Sequence, residues 1–350
     1  MKLLKLAKLT AVSLVVASVS VYALNTCCNH AEKVASFKGQ QLTGITVSQT
    51  GRIFTNFPKW REGVKNDVVE VFADNVYSAY PNEEWNSWNI GDEVTDNKFI
   101  SVQSVVDHGG KLYVLDTANP MFKGILTSPR LFVFDLETNK LEKTYKFKSE
   151  NYKPNSYYND LRVDDKLNKI YITDSGEAGL IVLDIATGDN IRVLDNSKYT
   201  KADTNHLMFN GKKWENVVHS DGIALDRQND ILFIHALTGY WMYGFKTSDL
   251  TKEDPQPISS IKTAAPDGMF IDKAGNLYFA DLENHKIQYL MADRKTIKTL
   301  VEGRNVKWAD TFDVYNCELY YTNSRIHEAT GDISKLEFTI NKVDIPVCNK

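Results

Sequence analysis

Six residues with side-chain oxygens recur at or beside one position of a repeated sequence pattern, and three of them are carboxylates. They are Thr43, Gln103 (beside Val102 at the repeat position itself), Asn159, Asp221, Asp267 and Asp310. Like charges that are gathered in one place repel each other, so carboxylates brought together must bind protons or share a cation. Ligands that are all oxygen suit Ca²⁺ or Mg²⁺ better than a soft metal. If the fold brings these side chains together, the pattern predicts a polar binding site.

The same residue types also have a purely structural use. Asp221-Gly222 and Asp267-Gly268 are Asp-Gly pairs, and Asp commonly bonds backbone amides in turns. One Asp of this kind would indicate a turn and nothing more. Because the polar residues share one repeat position, we favour a functional site over a set of unrelated turns.

The repeat that places these residues is a set of short apolar strands. The last apolar residue of each first strand recurs at intervals of 43 to 62 residues, at Val47, Val106, Val163, Leu225, Ile271 and Val314. A second apolar strand follows in every unit, and third and fourth strands are visible in the second and third units. About four short strands in units of this length are typical of a β-propeller. The sequence therefore predicts an all-β fold, a six-bladed β-propeller with little helix.

A propeller also predicts where the polar residues lie. The first strand of each blade lines the central channel, so a residue four positions before the aligned apolar residue lies near the mouth of that channel. The ring of blades must close, and we expect Lys33 to Lys38 to supply a closing strand. The predicted organisation is a signal peptide at 1–23, an N-terminal segment with the closing strand at 24–41, and the propeller at 42–350.

The first residues predict export. Three lysines among the first eight residues precede the apolar run Leu9 to Val21, and small residues end at Ala23, as in a secretory signal peptide. The run is short for a membrane anchor, which takes roughly 20 apolar residues. A lipoprotein site at Cys27 is the alternative. We expect a secreted or periplasmic protein with no membrane span after the signal is removed.

Net charge limits the classes of binding partner, and the positions of the cysteines limit the possible disulfides and metal sites. With 41 Lys and Arg against 45 Asp and Glu, the net charge is −4, which argues against nucleic acid or an anionic membrane as partner. Among the four cysteines, Cys317 and Cys348 form a disulfide in an exported protein or remain two unpaired thiols. No cysteine has the spacing of a zinc site.

Several stretches resemble the Yellow/major royal jelly protein family, in its bacterial branch. The most specific are Tyr80-Pro81-Asn82-Glu83-Glu84-Trp85-Asn86 and Tyr171-Ile172-Thr173-Asp174-Ser175-Gly176, within a resemblance that runs from about Leu42 to His327. The resemblance implies a six-bladed propeller, which agrees with the repeat count. It also implies a protein that binds a small molecule at the mouth of the channel.

A related group of propellers, the gluconolactonases, gives the alternative function. Pro266-Asp267-Gly268-Met269 is similar to part of their metal site, and Asn159 and Asp221 fall at two further ligand positions. This similarity implies a divalent cation, most simply Ca²⁺, held by Asn159, Asp221 and Asp267, with Asp267 or Asp221 as general base in lactone hydrolysis. Thr43 stands where those enzymes have a metal-binding Glu, a departure that favours the binding protein.

Three further features have two interpretations each. His219 either assists catalysis or forms a hydrogen bond to backbone at the rim. The insertion Asn196 to Val217 is either a functional lid or a plain connection. Aromatic residues of an earlier insertion either form a wall for an amine or sugar or pack their own loop, and they are Tyr77, Tyr80, Trp85 and Trp88.

Overall fold

We analysed a computed structural model of the chain, which describes residues 30–346. The predicted signal peptide, Cys27 and Cys348 lie outside these residues, so export and the Cys317–Cys348 disulfide stay predictions. Within residues 30–346 the structure is almost entirely β, and its helical content is two short 3-10 turns, Pro120–Phe122 and Thr247–Asp249. The strands, in chain order, are β1 (Glu32–Lys38), β2 (Ile45–Val47), β3 (Ile53–Asn56), β4 (Val68–Ala73), β5 (Val76–Ala79), β6 (Val102–His108), β7 (Lys111–Asp116), β8 (Arg130–Asp135), β9 (Lys140–Lys146), β10 (Tyr158–Asp164), β11 (Lys169–Asp174), β12 (Gly179–Asp184), β13 (Asn190–Val193), β14 (His206–Phe209), β15 (Lys212–Glu215), β16 (Ser220–Asp226), β17 (Ile231–Ala236), β18 (Trp241–Lys246), β19 (Ser259–Lys262), β20 (Met269–Ile271), β21 (Leu277–Asp281), β22 (Lys286–Leu290), β23 (Ile297–Glu302), β24 (Ala309–Tyr315), β25 (Glu318–Asn323) and β26 (Glu337–Asp344).

Twenty-four of these strands form six antiparallel four-stranded sheets, which we number as blades 1 to 6, and β14 and β15 form a separate two-stranded sheet. Blades 1 to 5 are β2–β5, β6–β9, β10–β13, β16–β19 and β20–β23, and blade 6 has the order β24-β25-β26-β1. The N-terminal strand β1 is therefore the outer strand of the last blade, paired with β26. The inner strands contact one another in ring order, and β24 meets β2. The predicted six-bladed propeller is confirmed.

Alternation of side chains along each strand builds the core between blades. On β11, Ile170 and Ile172 pack toward blade 2, in one cluster with Leu115. Tyr171, between them in sequence, points the other way and packs with Leu225 of blade 4. Successive side chains of a strand face opposite sides of the sheet, so blade 3 packs against blade 2 with one face and against blade 4 with the other.

Irregular pairing marks the inner strands at the level of the channel mouth. In four blades the register between the first and second strands shifts there, as in a β-bulge. The residues within the shifts are Gln103 in blade 2, Asn159 and Asp160 in blade 3, Asp221 in blade 4, and Asp310 and Thr311 in blade 6. A bulge bends the strand and redirects a side chain, so the repeat position is the place where each inner strand turns a side chain out of the ladder.

The glycines that follow Asp221 and Asp267 are required by close packing between blades. A Cβ on Gly222 would lie 2.9 Å from the carbonyl oxygen of Asp267, and a Cβ on Gly268 would lie 2.7 Å from that of Asp310. Neighbouring inner strands thus approach at backbone distance. Glycine follows Asp221 and Asp267 because the adjacent inner strand leaves no room for a Cβ, and not because these residues form simple turns.

Candidate functional site

A cavity of about 480 Å³ opens at the mouth of the central channel. Its floor contains five of the six residues that the repeat predicts for this place. They are Gln103, Asn159, Asp221, Asp267 and Asp310. Five blades meet at one site, as four of them redirect a side chain at a bulge and blade 5 contributes Asp267 just before β20.

Thr43, the sixth predicted residue, does not line the cavity. It is fully buried. Its hydroxyl donates to the backbone oxygen of Gln103 at 3.1 Å and accepts a hydrogen bond from the Asn56 amide at 2.9 Å. The side chain therefore joins blades 1 and 2 beneath the site, and blade 1 supplies no floor ligand at this position.

The three carboxyl groups of the floor are nearly inaccessible to solvent. Asp221, Asp267 and Asp310 expose 3%, 6% and 6% of their surface. Burial raises the pKa of Asp310 to about 7. Burial, followed by repulsion from Asp310, raises the pKa values of both Asp221 and Asp267 well above their usual range. At neutral pH the group therefore holds protons and is not fully ionised.

Asp221 and Asp267 are hydrogen-bonded to each other, and a bond between two carboxyl groups requires that one of them keeps a proton. Each is also held from outside the pair. The amide of Asn159 donates to Asp221 Oδ2 at 2.7 Å, and the indole N–H of Trp308 donates to Asp267 Oδ2 at 2.6 Å. The pair is fixed in position by neutral donors and has no basic partner among these contacts.

A buried ion pair on β10 of blade 3 contacts blade 5. The carboxylate of Asp160 accepts a hydrogen bond from the Arg162 guanidinium at 2.8 Å, and the same guanidinium reaches blade 5 to donate to the backbone oxygen of Met269 at 2.7 Å. Arg162 is buried. Asp160 pairs with this buried cation. The negative charge of Asp160 adds, after burial, to the raised pKa of Asp221 and Asp310. The sequence analysis did not identify this ion pair.

One wall of the cavity is a group of three aromatic side chains, which sequence reasoning also missed. Phe122 packs on Trp60 and on Tyr157, with ring centroids 5.8 and 4.8 Å apart. The indole of Trp60 donates to the Tyr157 hydroxyl at 2.6 Å, and that hydroxyl donates to Gln103 Oε1 at 2.8 Å. The wall is therefore tied to the floor. Its residues come from connections and not from the repeat position, so no repeat signal marked them.

The opposite wall includes the hairpin β14–β15, which forms from the predicted insertion Asn196 to Val217. Trp214 of this hairpin packs edge-on against Trp308 at 5.0 Å, and both line the cavity. Phe209, also on the hairpin, stacks on Trp308 at 5.4 Å and on His327 at 4.2 Å. The insertion leaves the propeller between blades 3 and 4 and packs on blade 6, so it covers one side of the mouth.

The contacts of Trp85, Trp88 and His219 fit the structural alternative for each of them, in which the side chain packs its own loop or bonds the backbone. Trp85 packs against Phe99 and Phe132, each at 5.1 Å, and Trp88 is buried. The ring nitrogen Nδ1 of His219 accepts the backbone N–H of Ala202 at 3.1 Å, and burial lowers its pKa. None of these side chains lines the cavity.

The floor contains oxygen donors of the kind that a hard cation prefers, and they include the predicted ligands Asn159, Asp221 and Asp267. Asp221 and Asp267 bond each other, and Thr43 supplies nothing from blade 1. Among residues 30–346, no group of three or more His, Cys, Asp or Glu side chains is placed to hold a metal ion. The predicted Ca²⁺ at Asn159, Asp221 and Asp267 stays a prediction. Over the same residues no helix is long and apolar enough to cross a membrane.

Fold and cavity together define a six-bladed propeller with a small-molecule-sized site at its mouth. The sequence model described as Major royal jelly protein matches residues 100–337, more than half of the chain. The chain therefore belongs to the major royal jelly protein family, as the resemblance predicted.

Curated relatives match a shorter segment. Protein yellow of Drosophila guanche is 26% identical over 121 residues, which is 32% of this chain and 21% of that protein. Protein yellow of Drosophila melanogaster is 27% identical over 120 residues, 32% of this chain and 22% of that protein. The match thus spans about a fifth of the length of these relatives.

Solved structures share the fold at low sequence identity. A luciferin-regenerating enzyme aligns with a TM-score of 0.57 and 13% identity, over 91% of this chain and 96% of that chain. A gluconolactonase from Xanthomonas campestris aligns with a TM-score of 0.54 and 11% identity, over 88% and 87%. At these identities the likeness establishes the propeller fold alone.

Proposed function

We propose that the protein is exported and binds a small organic cation at the mouth of its central channel. The observation that supports this most is the composition of the cavity. Its floor has three buried carboxyl groups, Asp221, Asp267 and Asp310, and no Lys, Arg or His is among the described residues that line it. A site with acids and no base attracts positive charge.

Aromatic walls favour an organic cation over a bare metal ion. Trp60, Phe122 and Tyr157 stand on one side and Trp214 and Trp308 on the other. Aromatic faces attract ammonium groups, more strongly when water is excluded, and they also pack against apolar parts of a ligand. A volume of about 480 Å³ lies within the range usual for small-molecule sites, roughly 300–1,000 Å³.

The paired carboxyls explain how such a ligand would be accommodated. Without a ligand, the proton between Asp221 and Asp267 reduces their repulsion. An ammonium group placed beside them supplies the same positive charge, so binding a monocation releases about one proton. Binding should accordingly strengthen as pH rises toward and through neutrality.

Calorimetry with a matched pair of probes tests this proposal. We expect the purified protein to bind 2-phenylethylammonium and not 3-phenylpropionate, which has a similar shape and the opposite charge. Titration in buffers of different ionisation enthalpy should show proton release. Asp267→Asn should weaken binding about tenfold or more, whereas Asp96→Asn, on the exposed surface, should leave it unchanged. Equal binding of both probes would contradict the proposal.

Metal-dependent lactone hydrolysis is the second candidate, and the oxygen donors Asn159, Asp221 and Asp267 support it. Elemental analysis of the purified protein separates the two. About one equivalent of Ca²⁺ or another divalent ion, lost in Asp267→Ala, would favour the hydrolase and justify a screen of sugar lactones. If the protein contains no metal and its melting temperature does not change when divalent ions are added, the hydrolase is excluded and the proposal of organic-cation binding stands.

A further inference from the structure

The hairpin β14–β15 rests on a stack of three nearly parallel rings. The centroid of the Phe209 ring lies 4.2 Å from that of His327, with 13° between the ring planes, and 5.4 Å from that of Trp308, with 22° between the planes. The rings of His327 and Trp308 also stack, at 5.7 Å and 18°. In addition, the backbone N–H of Met208 donates to Glu283 Oε1 at 2.6 Å. Because the hairpin pairs with no blade, contacts of this kind hold it in place.

The imidazole of His327 fits this stack as a neutral ring. Its side chain is 8% exposed, and Nε2 lies 3.8 Å from Glu328 Oε1. Over residues 30–346, the buried Nδ1 atom of His327 has no hydrogen-bond partner. A protonated imidazole carries an N–H on both nitrogens, so protonation would bury a charge and a donor without an acceptor. Such burial is costly, and the closed hairpin therefore excludes the second proton.

The charges around His327 also oppose protonation. They come from Lys307 just before β24, His285 between β21 and β22, and Arg325 and Glu328 in the connection that follows β25. Glu328 is the one acid among them, and it already accepts hydrogen bonds from Arg325 at 2.5 Å and Lys307 at 3.3 Å. Burial lowers the pKa of His327 from 6.5 to about 4, against the attraction of Glu328 and with the repulsion of the three bases.

Opening of the hairpin would remove this restriction. When Phe209 leaves the face of the imidazole, water reaches the ring and its pKa returns toward 6.5. A base whose pKa is lower in the closed state binds protons better in the open state. The closed state is therefore fully favoured above about pH 6.5 and loses stability as pH falls toward about 4. A complete return to 6.5 makes opening about 30-fold more favourable at pH 5 than at pH 7.5.

We propose that the hairpin β14–β15 is a lid that opens on acidification, with His327 as its proton sensor. Trp214 of the hairpin, and Asn216 and Val217 directly after it, line the cavity. Opening therefore removes part of one wall and lets a bound molecule leave at acidic pH. This inference rests on the proposed function, since it assigns control of access to the same site, but the motion of the lid can be tested without a ligand.

Hydrogen exchange of the mature protein at pH 7.5 and pH 5, corrected for the intrinsic exchange rate at each pH, tests the sensor. We expect protection of residues 206–215 to fall about 30-fold at pH 5 and that of β7 and β8 in blade 2 to stay unchanged. His327→Phe keeps a ring without a proton site and should be equally protected at both pH values. His327→Gln removes the ring as well and should give low protection at both. Equal protection of the wild type at both pH values, or wild-type pH dependence in His327→Phe, would overturn the inference.

Three other titratable groups contact the hairpin or its base and serve as controls. His206 begins β14, Glu283 binds Met208, and His219 accepts the backbone N–H of Ala202. The variants His206→Phe, Glu283→Gln and His219→Gln should each keep the wild-type pH dependence. If one of them abolishes it, that group is the sensor and His327 is not. Thermal melts at pH 7.5 confirm that folded protein is compared.

Release of 2-phenylethylammonium separates the lid from the proposed function. The carboxyl floor titrates in both wild type and His327→Phe, so the ratio of their dissociation rates isolates the lid. We expect the wild type to release the amine about tenfold faster than His327→Phe at pH 5 and at the same rate at pH 7.5. If the amine binds but exchange of residues 206–215 ignores pH, the lid is overturned and the proposed function stands. If no amine binds, the proposed function falls and the exchange experiment still decides the lid.

Discussion

Trp308 donates its indole N–H to Asp267 Oδ2 across the boundary between blades 6 and 5, at 2.6 Å. Its backbone has a φ of +72°, a left-handed conformation just before β24. The same ring packs against Phe209 and Trp214 of the hairpin. One residue therefore joins the covering hairpin, the cavity wall and the carboxyl pair of the floor.

Replacing Trp308 with Phe tests the electrostatic part of that role. The indole bond lowers the pKa of Asp267, so its removal should raise that pKa further and leave less carboxylate at pH 7. Affinity for 2-phenylethylammonium should fall about tenfold at pH 7 and recover in part at pH 9. Trp85→Phe, a substitution within the blade 2 core, should shift no pH profile. A loss that is the same at every pH would show that Trp308 acts only by packing.

The raised pKa of Asp310 predicts how the free energy of unfolding changes with pH. Its pKa rises on folding from 3.8 to about 7, so the folded state holds a proton that the unfolded state has lost. Stability from this group is complete below about pH 4 and declines as pH rises to about 7, by about 4 kcal/mol in total. Relative to wild type, Asp310→Asn should gain about 2 kcal/mol between pH 5 and pH 7 in urea unfolding. If the unfolding free energy of the variant changes with pH as that of the wild type does, the pKa of Asp310 is near its usual value.

The floor of the site was predictable from sequence because it obeys the repeat. Asn159, Asp221 and Asp310 sit at register shifts of equivalent inner strands, so one numerical offset locates them all. The offset does not decide where a side chain points. Thr43 has the predicted position, yet its hydroxyl finds partners in Asn56 and Gln103 below the cavity.

The walls were not predictable in the same way, because they come from connections. Trp60, Phe122 and Trp214 follow no common offset, and only the fold brings them to one cavity. Arg162 was missed for a different reason. It lies on the inner strand β10, and its length lets it reach Met269 of blade 5, a contact between residues more than a hundred positions apart.

Gly268→Ala tests the close approach of the inner strands. The added Cβ would meet the backbone oxygen of Asp310 at 2.7 Å, so blades 5 and 6 must move apart. We expect a loss of about 2–4 kcal/mol in unfolding free energy, together with weaker ligand binding. Gly109→Ala is the control: it has a φ of +61° and open space around its Cβ, so its cost should be about 1 kcal/mol. Equal costs would mean that the blades yield easily at Gly268.

Phe209→Ala tests whether the hairpin β14–β15 is held over the mouth by its aromatic stack. Phe209 is buried against the rings of Trp308 and His327, and truncation removes both contacts. Because the hairpin forms its own two-stranded sheet and pairs with no blade, it should open locally while the propeller stays folded. Hydrogen exchange should accelerate about tenfold or more in residues 206–215 and remain unchanged in β16 and β17. Met208→Ala, at the neighbouring exposed position, should leave exchange as in the wild type. Faster exchange throughout the blades would show instead that the stack supports the whole ring.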